Sequence, residues 1–151
     1  MLLRVAIIFL LSLKAQWLLA FSPTADTVFK NTVSDLLEFD FSSANNQTRM
    51  QKLEEPKDPS GYLFEAVGIW WQKTTQPLER SLDAQMEALF FEDIDQAVKL
   101  SKKEFRHKNT SLSAQAYFTA GMAVGLKGLW YLESGNKKKA FKFAHKAQRY
   151  L

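Results

Sequence analysis

From Pro23 onward, apolar residues recur every three or four positions, the period of an amphipathic helix, and no stretch alternates as a half-buried strand does. Val28, Val33, Leu36 and Leu37 make a first stripe. Phe39, Asp40 and Phe41 mark a turn into a short second helix that runs to about Leu53. Glu54 to Ser60, with Pro56, Asp58 and Pro59, breaks the pattern. Asp58 followed by Pro59 is a good helix start, because the carboxylate caps and the proline sits where no backbone donor is needed. A third helix follows from Gly61 to about Lys73 and carries Leu63, Phe64, Val67, Trp70 and Trp71; Thr74 to Ser81, with Pro77, ends it. The fourth is the longest, from about Leu82 to His107, with Met86, Leu89, Phe90, Ile94, Ala97, Leu100 and Phe105 at helical spacing. Lys108 to Ser111 links it to a fifth helix that Ser111 is expected to cap. The fifth runs to about Ser134 and is apolar nearly all round, as expected of a helix sandwiched between others. The sixth, about Lys137 to Tyr150, sets Ala140, Phe143, Ala144 and Ala147 on one face and lysines on the other. The prediction is all-α: six helices paired into three antiparallel hairpins.

A faint internal repeat supports the pairing. Asp40 to Ala44 (DFSSA), Asp93 to Ala97 (DIDQA) and Asn136 to Ala140 (NKKKA) each set an alanine four residues after an Asp or Asn. The third unit is the most regular. Gly128 and Tyr131 lie on its first helix, Gly135 and Asn136 form its turn, and Ala140 and Ala147 lie on its second, with Leu132 between. Small residues at those places let two helices touch, and Gly135 can end a helix in the left-handed conformation. In this stretch, residues 114–151, the chain resembles one tetratricopeptide repeat. It departs from that pattern at Lys127, where such a repeat usually carries an apolar residue, and the two earlier units are degenerate. The resemblance implies a short right-handed α-solenoid of about three hairpins over residues 21–151, one that holds a protein or peptide partner.

The first residues read differently. Met1 to Ala20 has the form of an export signal: Arg4, then an apolar run from Val5 to Leu13, then the small Ala20. The alternative is an uncleaved anchor from Val5 to Phe21. Either places the protein outside the cytoplasm, periplasmic or secreted. The chain has no cysteine, so its fold is held by a core and not by disulfides, and thiol chemistry and Cys-based metal sites are excluded.

Charge divides the chain. Residues 21–98 carry 14 acidic and 6 basic side chains, whereas residues 99–151 carry 12 basic and 2 acidic ones. Helix dipoles explain part of this, since Asp83 and Glu87 stand early in the fourth helix and Lys99, Lys102, Lys103 and Arg106 late. The remainder is a basic surface from Lys137, Lys138, Lys139, Lys142, Lys146 and Arg149, suited to an acidic partner or to an anionic membrane surface. A solvated face is the plainer reading. No motif for nucleic acid accompanies it.

Tyr62, Phe64, Trp70, Trp71, Phe90 and Phe91 are dense for so short a span. Core packing explains most of them, and Tyr62 and Trp70 cannot share one face with Trp71, so at least one ring is expected near the surface as an interface anchor. Lys127 is singled out because a charge beside a packed glycine face is costly unless it reaches water or a partner. Residues Ser113 to Leu132 carry that single charge and place Gly121 and Gly125 in a GxxxG spacing, which a membrane helix would also show. A buried repeat helix explains the same residues and the glycine that follows at position 128. His107 and His145 are the only histidines and belong to no catalytic or metal-binding spacing, and Glu92, Asp93 and Asp95 lack the glycine of a calcium loop. The expectation is a protein that is not an enzyme and holds no cofactor or metal. Its partner would meet Tyr62, Trp70, Trp71, Lys127 and Tyr131, and its C-terminal end would self-associate or be capped by the sixth helix. The competing reading is a helical carrier or lipid-contacting protein with an aromatic-lined apolar pocket.

Overall fold

The computed structural model describes residues 23–76 and 80–150, with side chains placed over 27–76 and 83–150. The predicted export signal, Pro77 in the third break, and Leu151 lie outside them. Six helices follow one another: α1 (Pro23–Leu37), α2 (Phe41–Glu54), α3 (Pro59–Thr75), α4 (Arg80–Glu104), α5 (Thr110–Glu133) and α6 (Lys137–Gln148). The protein is all-helical, and no strand occurs among the described residues. Each helix packs on the next, and α3 in addition touches both α1 and α5.

Local chemistry sets the boundaries. Asp58 caps α3 by accepting from the Ser60 backbone N–H at 2.9 Å, with Pro59 in the first turn, as the sequence predicts. The cap of α5 is Asn109 and not Ser111: its Oδ1 accepts from the N–H groups of Ser111 and Leu112, and Ser111 already lies inside the helix. In α1 the core positions are Phe29, Val33 and Leu36, whereas Leu37 is exposed in the last turn, just before the chain leaves the helix. Rings fill the centre. Phe29 meets Phe64 at 5.3 Å between centroids, Trp130 stacks on Phe90 at 4.2 Å, and Phe91 stands edge-on to both Phe90 and Trp130. Burying a side chain of this size contributes roughly 1.5–3 kcal/mol.

The turns that join α1 to α2 and α5 to α6 are the same structure built from different residues. In the first, Phe39 N–H bonds to Leu36 O and Asp40 N–H to Asp35 O; in the second, Gly135 N–H bonds to Leu132 O and Asn136 N–H to Tyr131 O. Both are the left-handed helix end in which a residue of positive φ follows the last turn. Gly135 has φ 76° and Phe39 φ 61°. Asp40 and Asn136 then cap the next helix alike, each accepting from the backbone N–H three residues on. Ala44 and Ala140 are both buried. The turns at Asp40 and Asn136, two of the three places marked in the sequence, are thus structurally equivalent. The Asp93 unit is not, because Asp93 to Ala97 lie in the middle of α4 with no turn beside them.

Gly135→Ala is expected to lower unfolding free energy by about 1 kcal/mol through backbone strain alone, since nothing lies within 4 Å of a Cβ added there. Asn136→Ala is expected to cost a similar amount, about 1 kcal/mol, by removing a cap. Urea unfolding of the two variants measures both.

Candidate functional site

Three lysines each join three consecutive helices. Lys52 leaves α2 and places Nζ 2.5 Å from Glu65 Oε2 on α3 and 2.6 Å from Asp93 Oδ1 on α4. Lys73 leaves α3, pairs with Asp83 of α4 at 2.7 Å and lies 4.3 Å above the Trp130 ring of α5. Lys127 leaves α5, pairs with Asp95 of α4 at 2.8 Å and lies over Phe143 of α6, with Phe91 of α4 also in reach. The charge at position 127 is therefore held by a carboxylate and two ring faces, and its side chain is only 15% exposed.

The Lys52 cluster is the most buried of the three. Burial opposes the Lys52 ammonium, but hydrogen bonds to Asp93 and Glu65 outweigh it and leave its pKa raised. Burial is also the largest influence on Asp93, and with repulsion from Glu65 and Glu92 it pushes the carboxyl up to about 7, against the pull of Lys52. Two carboxylates share one cation, so one of them holds its proton easily. Asp93 Oδ2 is buried and has no hydrogen-bond partner among the described residues. A second carboxyl behaves similarly at the other side of α3. Glu133 of α5 accepts from Trp70 Nε1–H at 3.1 Å, and burial pushes its pKa up to about 7 despite the Trp70 bond and the nearby Lys73.

Of the residues expected to meet a partner, Trp70 and Trp71 are inside, 4% and 2% exposed, and touch each other edge-on. The ring nearer the surface is Tyr62, partly buried, whose hydroxyl donates to Pro56 O while Lys52 sits over its face. Tyr131 is also partly buried, stacked on Phe143 at 5.4 Å with Lys139 over its face. Tyr62 and Trp70 belong to α3, and Lys127 and Tyr131 to α5. The six basic residues Lys137, Lys138, Lys139, Lys142, Lys146 and Arg149 are all exposed on α6 and its C-cap, and none pairs with a described carboxylate.

The accessible feature that sequence reasoning missed is a groove of about 680 Å³ between the outer faces of α5 and α6. It is lined by the small residues Gly125, Gly128, Ala140, Ala144 and Ala147 together with Leu129, Leu132, Phe141 and Lys137. Gly128 makes it shallow: a Cβ there would stand 3.3 Å from Ala140 O and 3.4 Å from Ala144 N, so only glycine lets the helices approach this closely. Phe141 is 78% exposed and Leu132 is exposed beside it. The signal available in the sequence was Phe141 itself, an aromatic off the buried stripe of an otherwise lysine-rich face.

His107 Nδ1 accepts from the Asn109 backbone in a loop, and His145 is exposed on α6. Among the described residues no group of three His, Asp or Glu side chains is arranged to hold a metal ion, and no helix is long and apolar enough to cross a membrane. No family model, curated protein or solved structure matches the chain.

Lys52→Met leaves Glu65 and Asp93 facing each other without a cation, and is expected to cost about 3–5 kcal/mol near neutral pH. Adding Asp93→Asn to that variant should restore part of the loss in guanidinium titrations. Glu133 supplies a pH test. Its folded pKa of about 7 lies above the ordinary 4.5, so the folded state holds a proton that the unfolded state releases. The contribution is full below about pH 4.5 and is lost as pH rises through about 7. Glu133→Gln keeps an acceptor for Trp70, and its unfolding midpoint should fall less than that of the wild type across this window.

Proposed function

We propose that the chain is a non-catalytic interaction module: a short right-handed solenoid of three hairpins, resembling tetratricopeptide repeats, that holds a protein or peptide partner at its C-terminal end. The groove between α5 and α6 carries this reading, because an open, almost wholly apolar surface with a projecting phenylalanine is costly to leave in water. The helix contacts support the array, since α1, α3 and α5 touch in sequence and α2, α4 and α6 each pack beside them. The equivalent turns at Phe39 and Gly135 support the repeat. The buried or ion-paired state of the lysines and carboxylates at the three junctions speaks against an enzyme. An export signal over Met1 to Ala20 would put the module in the periplasm or outside the cell, where the α6 lysines could also lie against anionic headgroups.

The carrier reading is weaker. Its aromatic rings would have to line a cavity, whereas those of α3, α4 and α5 are packed against one another. A benzophenone side chain at Phe141 or Ala144 should crosslink to a protein in the cells that make this chain, and the same group at Ser42 on α2 should not. Equal labelling from all three positions, or adducts only to lipid, would reject the module.

A further inference from the structure

Two cationic stripes meet at one end of the molecule. On α4 and just past its end, Lys99, Lys102, Lys103 and Arg106 recur at helical spacing, all exposed, opposite the buried Phe90, Ile94, Ala97 and Ser101. On α6, Lys138, Lys142 and Arg149 stand opposite the buried Ala140 and Ala147 in the same way, with Lys146 at their edge. The two helices lie side by side on α5, whose Tyr131 meets Phe91 of α4 at 5.5 Å and Phe143 of α6 at 5.4 Å. Just beyond their ends, Phe105 and Tyr150 touch at 5.7 Å. Both stripes therefore turn away from α5 and converge where α4 and α6 stop. Glu92, exposed two turns before Lys99, marks the limit of the positive surface. None of these cations pairs with a described carboxylate, and none of them borders the α5/α6 groove.

Helix stability accounts for only part of this charge. Lys102, Lys103 and Lys146 answer the macrodipole in their last turns, but Lys137, Lys138 and Lys139 fill the first turn of α6, where the same dipole opposes them. The kind of cation then narrows the partner. Lysine outnumbers arginine here, and lysine is depleted where proteins bury surface against each other, whereas arginine and aromatic rings are enriched. Single-stranded nucleic acid is held by rings on which bases stack. The rings nearest these cations are already engaged, Phe105 on Tyr117 at 4.0 Å and Phe143 on Tyr131. A duplex groove admits one helix, and here two lie side by side. A fluid sheet of anionic headgroups needs neither anchor nor register, because its charges move to meet flexible ammonium groups and attraction grows with each one near the plane. We propose that the face formed by the last turns of α4 together with α6 lies against an anionic membrane surface. Lys99, Lys103, Lys142 and Arg149 stand nearest the headgroups. The proposal rests on the headgroup contact admitted above for α6 and extends it to α4, and it leaves the groove free for a protein partner.

The test uses the full chain with vesicles of phosphatidylcholine, alone or mixed with phosphatidylglycerol, and reads bound protein by cosedimentation. The measured quantity is the ratio of the two affinities, because an apolar stretch such as residues 5–21 adds to both alike. The ratio should favour the anionic vesicles and fall as salt is raised. It should drop about tenfold when Lys99→Gln is combined with Lys103→Gln, and about tenfold when Lys138→Gln is combined with Lys142→Gln. Lys57→Gln, at an exposed position in the loop before α3, should change it by less than about threefold. A ratio lowered by the α6 pair alone keeps the α6 contact and overturns the two-helix face. Equal affinity for the two vesicles, or a ratio that neither pair lowers, overturns both. Polyglutamate or duplex DNA that binds more tightly than the anionic vesicles and displaces them makes the occupant a protein or a nucleic acid, and the proposal falls. Crosslinking from Phe141 judges the interaction module separately, since neither pair of substitutions lines the groove.

Discussion

The constraint on which this fold depends is the register of stacked helices, and lysines at the junctions set it. Apolar seams attract without direction, so two helices with continuous stripes can slide along each other at small cost. A charge-assisted hydrogen bond is directional and short. Lys52, Lys73 and Lys127 each start on one helix and reach the two neighbours that it must be aligned with. The three sets overlap, α2 to α4, α3 to α5 and α4 to α6, so that alignment is passed along the chain. Such pairs add little net stability over a well-packed apolar replacement. Their effect is to make the wrong registers expensive, since a shift by one turn would leave Asp93 and Glu65 buried without a cation.

Much of the fold was legible because its signals are local. Helix periods, Asp58 with Pro59, and Gly135 with Asn136 are all read within a few residues, and the structure keeps them in place. Phe39 was harder. A phenylalanine in the left-handed region runs against local preference, and only its equivalence to Gly135 shows that α1 and α2 are joined by the same turn. The Asp93 unit failed as a repeat for a related reason. The spacing from acid to alanine is a weak mark unless a helix end stands beside it, and in α4 the aspartate serves a lysine 41 residues earlier instead.

The candidate site was less legible because its determinants are distant or missing. Lys127 stood out in the sequence as a misplaced charge, but its partner Asp95 is 32 residues away and its ring partners are on two other helices. Trp70 and Trp71, adjacent and bulky, suggested an exposed ring. The interior accommodates both because α3 is covered from several sides, by α1, α2, α4 and α5. Phe141 apart, residue type carries little sign of the groove. It consists of volume that glycine and alanine do not fill, and whether such a face is covered depends on what packs there.

The charge asymmetry gains a physical meaning from this arrangement. Four acidic residues of the first two-thirds of the chain, Glu65, Asp83, Asp93 and Asp95, pair with Lys52, Lys73 and Lys127 at helix junctions. On α6 the six cations have no carboxylate partner among the described residues. The same position lacks an apolar cover, as Phe141 and Leu132 show. Of the six cations only Lys137 borders that apolar groove, so the unpaired charge and the uncovered apolar surface of α6 face largely different ways.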